Sequence, residues 1–400
     1  MTSYPTDLSE AEGQRARERL AALADRFTED GDLRTAEWRE AFLRTWRHPY
    51  VPAYYPSLEK PPVLCIGDPE QRSGWLDAVY NDETLVTKVA PIPLSRAFRP
   101  ATGWMYTSSS TLPSLVLRML ETLDVCDGHR VLEIGTGSGY NCALLCQRLG
   151  GDRVTSVDID PELIDLADER LAANGYTPTL AAVDGAEGYP ARAPYDRIIA
   201  TCAAHTVPSA WLKQAAPGAV ILTDVHGLLG GTLVRLTVDA EGTAIGRFVP
   251  YWSGFMQMRR AVEPEMPDRH RWSAEEPSRS STDVDPAPLR AHGLFGFVVQ
   301  WHLPDVSRGF GTSDDGQPTL YLFAPDGSEA FIETEKTHGR YRVSQAGPRR
   351  LWDIVEQIHE FWQNAGQPRY DRFGLTATAA EQYVWLDDPD SPHRWPLPVR

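Results

Sequence analysis

The sequence predicts a doubly wound α/β domain followed by a smaller α+β extension. Three observations carry this. Between residues 130 and 223, short apolar runs alternate with helical patterns, the signature of a parallel sheet covered by helices. The first apolar run, Val131-Leu132-Glu133-Ile134, passes directly into Gly135-Thr136-Gly137-Ser138-Gly139. Beyond residue 250 the alternation stops, and a Ser-, Pro- and charge-rich stretch leads into separate strand and helix signals.

The elements follow in order. Ser9 caps a polar helix over residues 9–27, with Ala21, Leu23, Ala24 and Phe27 as a weak apolar face. Trp38, Phe42, Leu43 and Trp46 fall at helical spacing, and the prolines of His48-Pro49-Tyr50-Val51-Pro52 end that helix. Residues 53–105 are turn-rich, with a short helix at Trp75–Tyr80, and Leu112–Leu123 returns to a helical pattern. Strands are then expected at Arg130–Ile134, Arg153–Val157, Thr179–Val183, Tyr195–Thr201 and Ala219–Thr223. The helices between them are Tyr140–Leu149, Pro161–Asn174 and Ser209–Gln214; Pro161 suits a first helical turn and Gly175 a helix end. Thr232–Val238 and Thr243–Val249 read as a hairpin turning at Asp239–Gly242. Residues 264–290 read as a linker or surface loop. Strands are expected at Phe295–Trp301 and Thr319–Phe323, and a helix at Leu351–Trp362. The division is 1–105, an N-terminal substrate-side region; 106–250, a cofactor-binding core; 251–290, a linker; and 291–400, the α+β domain.

Composition narrows the function. Hydrophobic residues make up 42% of the 400 residues, enough for a substantial core. A net charge of -16 repels nucleic acid and anionic lipid, so neither is expected as a partner. Arg259, Arg260, Arg269 and Arg271 are interrupted by Glu263, Glu265 and Asp268, and read as a surface rather than a phosphate track. The five cysteines do not form a disulfide framework, and Cys142 and Cys146 read as small buried residues rather than metal ligands; no metal is expected. With no signal peptide and no membrane-length apolar run, the expected location is cytoplasmic.

Gly135, Gly137 and Gly139 stand where an open α/β sheet binds a nucleotide-like ligand. The third glycine comes one residue early for a dinucleotide fingerprint. S-adenosylmethionine needs no pyrophosphate site. Asp158 closes the second strand, where a carboxylate can accept ribose hydroxyl protons. Asp184 closes the third, within reach of an adenine amino group, and Glu133 can orient the methionine ammonium. Thr136, Ile159 and Gly185 complete the expected cofactor set. Each carboxylate alone reads equally well as a helix cap or turn residue. Three at successive strand ends beside a glycine loop favour S-adenosylmethionine.

The segment Arg130–Tyr140, Asp158, Val183-Asp184-Gly185 and Pro194–Ala204 resembles the protein-L-isoaspartate O-methyltransferase family. So do Thr107-Ser108-Ser109-Ser110-Thr111-Leu112-Pro113 and Arg47-His48-Pro49-Tyr50-Val51-Pro52. The resemblance spans roughly residues 38–235. It implies a class I S-adenosylmethionine-dependent methyltransferase with a doubly wound seven-stranded sheet. It also implies methylation of a carboxyl group within a peptide or protein. The family's active-site loop commonly reads Ser-Gln-Pro. Here Thr111 takes the serine register and Leu112 replaces glutamine, so a hydroxyl is kept and an amide lost.

A carboxylate is already ionised near neutral pH, so alignment and exclusion of water carry much of such a reaction. Ser110 and Thr111 are the expected catalytic hydroxyls, aiming the acceptor carboxylate. Ser109, Thr201 and Cys202 are expected to line the acceptor pocket, Thr201 reading equally as a structural cap. His205 is not required as a base. Family relatives include repair enzymes and enzymes that tailor ribosomally made peptides, the latter often with a long C-terminal extension. The extension here and Leu112 favour aspartate methylation in a modified ribosomal peptide of lanthipeptide type, leading to succinimide. Protein repair is the main alternative, and a non-catalytic peptide-binding module the other. Trp301, Trp352, Trp362 and Trp385 would anchor a peptide if exposed, but apolar neighbours place them in a core.

Overall fold

The alternation between residues 130 and 223 is realised element by element. The computed structural model describes residues 7–57, 64–66, 71–91, 103–260, 276–290, 293–313 and 316–398. The chain divides into two units. The first comprises Met1–Cys202, Lys213–Leu222 and Met258–Ala261, and the second Ala203–Leu212, Thr223–Gln257 and Val262–Arg400.

The first unit opens with helix α1 (Glu10–Glu29), capped by a reciprocal Ser9–Glu12 box, and α2 (Ala36–Arg44). Two short strands, β1 (Ala53–Tyr54) and β2 (Cys65–Ile66), precede α3 (Arg72–Val79). Strands β3 (Leu85–Pro91) and β4 (Trp104–Ser110) pair antiparallel, Leu85 opposite Ser110. The sequence predicts neither strand; in β4 a serine- and threonine-rich run lacks apolar alternation. Helix α4 (Pro113–Leu123) follows, its proline in the first turn.

Next come β5 (Val131–Ile134), α5 (Tyr140–Leu149), β6 (Val154–Asp158), α6 (Pro161–Ala173), β7 (Thr179–Ala182), β8 (Tyr195–Ala204), α7 (Ser209–Gln214) and β9 (Ala215–His226). In the first unit the strand order is β9-β8-β5-β6-β7. Strand β5 pairs parallel with both β6 and β8, Ile134 standing opposite Val157 and Ala200. The chain thus steps from β5 outward to β7, then returns to the other side of β5. That reversal is a switch point, where a crevice opens at the carboxyl ends of the strands. The apolar residues of β5 and β6 are buried on both faces, which is why they read as continuous runs.

The second unit holds β10 (Gly231–Val238) and β11 (Ala244–Phe248), the expected hairpin, with Val238 opposite Ala244. The unit continues with β12 (Ser278–Thr282), α8 (Ala287–Arg290), α9 (Leu294–His302), β13 (Ser307–Thr312), β14 (Pro318–Phe323), β15 (Glu329–Thr337), β16 (Arg340–Ala346) and α10 (Leu351–Asn364). Strands β17 (Phe373–Ala377), β18 (Gln382–Leu386) and β19 (Arg394–Leu397) end it. Here β10-β11-β17-β18-β19 form one antiparallel run, and β12-β16-β15-β14-β13 a separate five-stranded sheet.

One sequence expectation is corrected outright. Phe295–Trp301 is helix α9, not a strand. Every residue from Phe295 to Trp301 is buried, the polar Gln300 included, so no exposed position marks the period. Its Phe297 ring packs edge-on against Phe248, Trp301, Tyr370 and Phe373. The stretch read as a loop contains β12 and α8, while residues 261–275, including Arg269 and Arg271, lie outside the described residues. Strand β12 exposes Ser278–Ser281 on an edge, and so carries a loop-like composition. Trp301, Trp352 and Trp385 are buried and Trp362 is partly buried, so the tryptophans belong to cores. Among the described residues, no helix is long and apolar enough to cross a membrane.

Candidate active site

The site is assembled within the first unit, at the carboxyl end of β5. Gly135, Gly137 and Gly139 adopt φ values of +96°, +53° and +88°, a region that favours glycine. A Cβ on Gly135 would stand 2.7 Å from Thr201 Oγ1. The loop is pinned to β6, since the amides of Gly135 and Thr136 donate to the Val157 carbonyl at 2.8 and 3.1 Å. Thr136 Oγ1 lies 2.6 Å from Ser156 Oγ. Helix α5 follows Gly139, which offers no side-chain cap; the Gly139 amide donates to the Thr136 carbonyl at 2.9 Å and the Tyr140 amide to Ser138 Oγ at 3.4 Å.

Three carboxylates surround this loop. Asp158 is buried and accepts the Gly137 amide at 3.0 Å and the Asp160 amide at 3.1 Å. Burial raises its pKa, and the two amides oppose the rise. Glu133 is fully buried; Asn141 Nδ2 donates to one oxygen at 2.6 Å and Ser156 Oγ to the other. Burial pushes the Glu133 carboxyl up to about 7 despite those bonds. Asp184 accepts the Ala186 amide at 2.9 Å and Arg260 Nε at 3.0 Å. It is therefore a cap for the turn Gly185–Glu187. Gly185 packs against Ile134 and Met258: a Cβ there would meet Ile134 Cγ2 at 2.6 Å and Met258 Sδ at 3.3 Å.

The expected acceptor side lies on β4 and the turn after it. A Cβ on Gly137 would be 3.6 Å from Ser108 Oγ and 3.7 Å from the Ser109 carbonyl, so β4 runs alongside the glycine loop. Ser110 is buried, and its hydroxyl accepts from Arg47 Nε and Nη2, both at 3.2 Å. The Thr111 carbonyl accepts from Arg47 Nη2 at 3.2 Å, while its hydroxyl has no partner among the described residues. Leu112 leads into α4.

Not every expected residue points to a ligand. Thr201 Oγ1 donates to the Gly135 carbonyl at 2.7 Å, which braces the loop rather than lining an acceptor pocket. Cys202 Sγ lies 3.9 Å from the Ile134 carbonyl. Ile159 is partly buried between Asp158 and Asp160. His205 belongs to the second unit, its ring 2.9 Å from the His226 carbonyl.

The structure adds residues that sequence reading missed. Ser156 and Asn141 hold Glu133; Ser156 is one of three buried polar residues of β6, with Thr155 and Asp158. Lys88 on β3 bridges Asp160 at 2.7 Å and Glu162 at 2.6 Å. Arg259 stands 3.9 Å from Asp158, and Arg260 pairs with Asp184, so two arginines read as plain surface reach two expected cofactor carboxylates. Arg47 appeared only within a motif, because its partners are backbone carbonyls that leave no mark in a sequence.

These features fit S-adenosylmethionine. The glycines open a cradle that side chains would fill, and the loop sits at the switch point beside the buried carboxylates Glu133 and Asp158 and the partly buried Asp184. Fold and site together define a class I S-adenosylmethionine-dependent methyltransferase. A solved protein-L-isoaspartate O-methyltransferase has the same fold, with a TM-score of 0.50 and 18% identity over 93% of this chain and 100% of its own. The family model described as protein-L-isoaspartate(D-aspartate) O-methyltransferase (PCMT) matches residues 85–243. The protein-L-isoaspartate O-methyltransferase of Methanopyrus kandleri is 33% identical over 233 residues, 57% of this chain and 85% of the relative. That of Rhodospirillum rubrum is 33% identical over 202 residues, 48% of this chain and 86% of the relative. The chain belongs to the protein-L-isoaspartate O-methyltransferase family. It is a carboxyl O-methyltransferase with S-adenosylmethionine as methyl donor.

Proposed function

We propose that the enzyme methylates the side-chain carboxylate of an isoaspartyl or aspartyl residue within a peptide or protein. The likeness to the Methanopyrus kandleri enzyme, over 85% of that relative, carries this reading. An acceptor oxygen attacks the methyl carbon, the bond to sulfur breaks, and a methyl ester forms. The carboxylate is already ionised, so the protein's own work is orientation. Asp158 takes the ribose hydroxyls on lone pairs left beyond its two amide bonds. Asp184 and Gly185 meet the adenine, Glu133 the methionine ammonium, and Thr136 and Ile159 flank them. Ser110 and Thr111 donate to the acceptor, with Ser109 beside them. Thr201 and Cys202 support the loop from behind.

Isoaspartyl repair is the first reading of the acceptor, because the relatives carry that name. A second reading is favoured by two observations on this chain. Leu112 stands where the family amide is expected, and a second unit of several antiparallel strands follows the core. These support methylation of aspartate in a ribosomally made, constrained peptide, with the ester closing to a succinimide. Incubation with labelled S-adenosylmethionine separates the readings. Base-labile label on linear isoaspartyl peptides, exceeding that on aspartyl peptides, supports repair. Label confined to a cyclised aspartyl peptide supports tailoring. No label on any carboxyl peptide would defeat both.

A further inference from the structure

Arg47 lies beneath the turn Ser110–Thr111 and is 1% exposed. Its guanidinium donates to the carbonyls of Val79 at 3.3 Å, Asn81 at 3.2 Å, Glu83 at 2.9 Å, Ser110 at 3.0 Å and Thr111 at 3.2 Å. Nε and Nη2 also reach Ser110 Oγ, each at 3.2 Å. The guanidinium carbon is 5.9 Å from the centre of the Tyr140 ring. Among the described residues, no carboxylate pairs with it.

A buried arginine is ordinarily compensated by a carboxylate. Here only neutral dipoles, five carbonyls and the Ser110 hydroxyl, solvate the cation, so its charge is held in place without being cancelled. Burial brings its pKa down to about 10, which leaves it charged at neutral pH. The nearby charged and titratable groups are Asp82 and Glu83 on the loop after α3, with Tyr80 and Tyr140. Both carboxylates are engaged elsewhere. Asp82 accepts the Ser114 amide and pairs with Arg26, and Glu83 accepts Asn81 Nδ2.

The hydrogen bonds also set a polarity. Ser110 Oγ accepts from Nε, and the two Nη2 hydrogens are shared between it and three carbonyls; because a guanidinium cannot accept, the Ser110 proton must point away from Arg47. The Ser110 hydroxyl is thereby left with its proton to donate elsewhere. The Thr111 backbone is fixed by the same guanidinium, while its hydroxyl stays free to donate.

We propose that Arg47 is a positioning residue for the acceptor: it holds the Ser110 and Thr111 hydroxyls as donors and supplies an uncancelled positive charge that selects an ionised carboxylate. This rests on the placement of Ser110 and Thr111 at the acceptor.

The test uses the full chain with aspartyl and isoaspartyl peptides, comparing wild type, Arg47→Lys, Arg47→Gln and Ser110→Ala. Turnover is followed across the acid range, with S-adenosylhomocysteine affinity and thermal unfolding measured in parallel. Arg47→Gln should move the acid limb of kcat upward by about 1 pH unit, because a cation no longer favours the ionised form of the bound acceptor. It should lower kcat/KM by about 10²-fold with cofactor affinity unchanged. Arg47→Lys should keep the wild-type acid limb but lose turnover, since an ammonium cannot span the same carbonyls. An Arg47→Gln enzyme that is folded and retains the wild-type acid limb overturns the proposal and leaves a purely structural arginine. Should Arg47→Gln fail to fold, Ser110→Ala decides, because it leaves every guanidinium–carbonyl bond in place. A rise in peptide KM of about tenfold or more supports the proposal, and wild-type kinetics overturn it. A wild type that methylates no peptide carboxylate defeats the acceptor reading and this proposal together. Normal wild type beside unaltered variants defeats this proposal alone.

Discussion

Gly135→Ala separates backbone strain from side-chain crowding in the cofactor loop. Gly135 sits at φ +96°, where an L side chain costs about 1–2 kcal/mol. The new Cβ would also lie 2.7 Å from Thr201 Oγ1, closer than such atoms approach. Thr201 must then turn away and give up its 2.7 Å hydrogen bond to the Gly135 carbonyl, a further loss of about 1 kcal/mol. Together Gly135→Ala should cost about 2–3 kcal/mol in urea unfolding. Thr201→Ala alone should cost about 1 kcal/mol. In the double variant the crowding is gone and the hydrogen bond cannot be lost twice. Its cost should therefore fall short of the sum by about 1 kcal/mol. S-adenosylmethionine affinity, by calorimetry, should weaken in Gly135→Ala and partly recover in the double variant. Strict additivity in both measurements would refute the contact and leave strain alone.

Glu133→Gln tests the buried carboxyl. Its folded pKa of about 7 stands above the ordinary 4.5. The protonated form therefore stabilises the fold below about pH 4.5, and that contribution is lost as pH rises through about 7. Relative to Glu133→Gln, the unliganded wild type should lose about 3 kcal/mol across that window in urea unfolding; a pH-independent difference would contradict it. Asp158→Ala removes the proposed ribose acceptor and leaves the Gly137 and Asp160 amides unpaired, so S-adenosylmethionine Kd should rise at least about tenfold; unchanged affinity would sink the assignment. Thr111→Ala should lower kcat by about tenfold with cofactor affinity intact, and Thr111→Ser should restore most of it; equal rates in all three would remove Thr111 from the acceptor site. Leu112→Gln restores the family amide and should shift relative turnover toward isoaspartyl peptides, measured as a ratio of kcat/KM values.

The parallel core was legible because its central strands β5 and β6 are buried on both faces and each runs into a chemically distinct turn. Gly135–Gly139, Asp158 and Asp184 could be placed from spacing alone. The acceptor side was less legible. Strand β4 is built from Trp104–Ser110, a hydroxyl-rich run in which apolar and polar residues do not alternate, so no period of two emerges. Arg47 binds carbonyls from Val79 to Thr111, and a carbonyl belongs to every residue alike. Helix α9 was misread because an element buried all round shows no period. Strand β12 was misread for the opposite reason, being an exposed edge with no apolar residues.

The charges around the cofactor loop are unevenly matched, and that has a consequence for binding. Lys88 takes Asp160, Arg259 stands beside Asp158 and Asp160, and Arg260 takes Asp184. Glu133 has only neutral donors, Asn141 and Ser156. Of the three expected cofactor carboxylates, it is the one without a basic partner among the described residues. A cation brought beside it would lower its pKa, and the methionine ammonium is the cation proposed to arrive there. Binding should then release a proton from Glu133 wherever the unliganded carboxyl still holds one. It follows that S-adenosylmethionine affinity should rise with pH up to about 7 and level off above it. Calorimetry in two buffers of different ionisation enthalpy reads the released proton directly. Glu133→Gln should abolish both the proton release and the rise. Proton release persisting in that variant would place the titration on another group and leave Glu133 a structural acid.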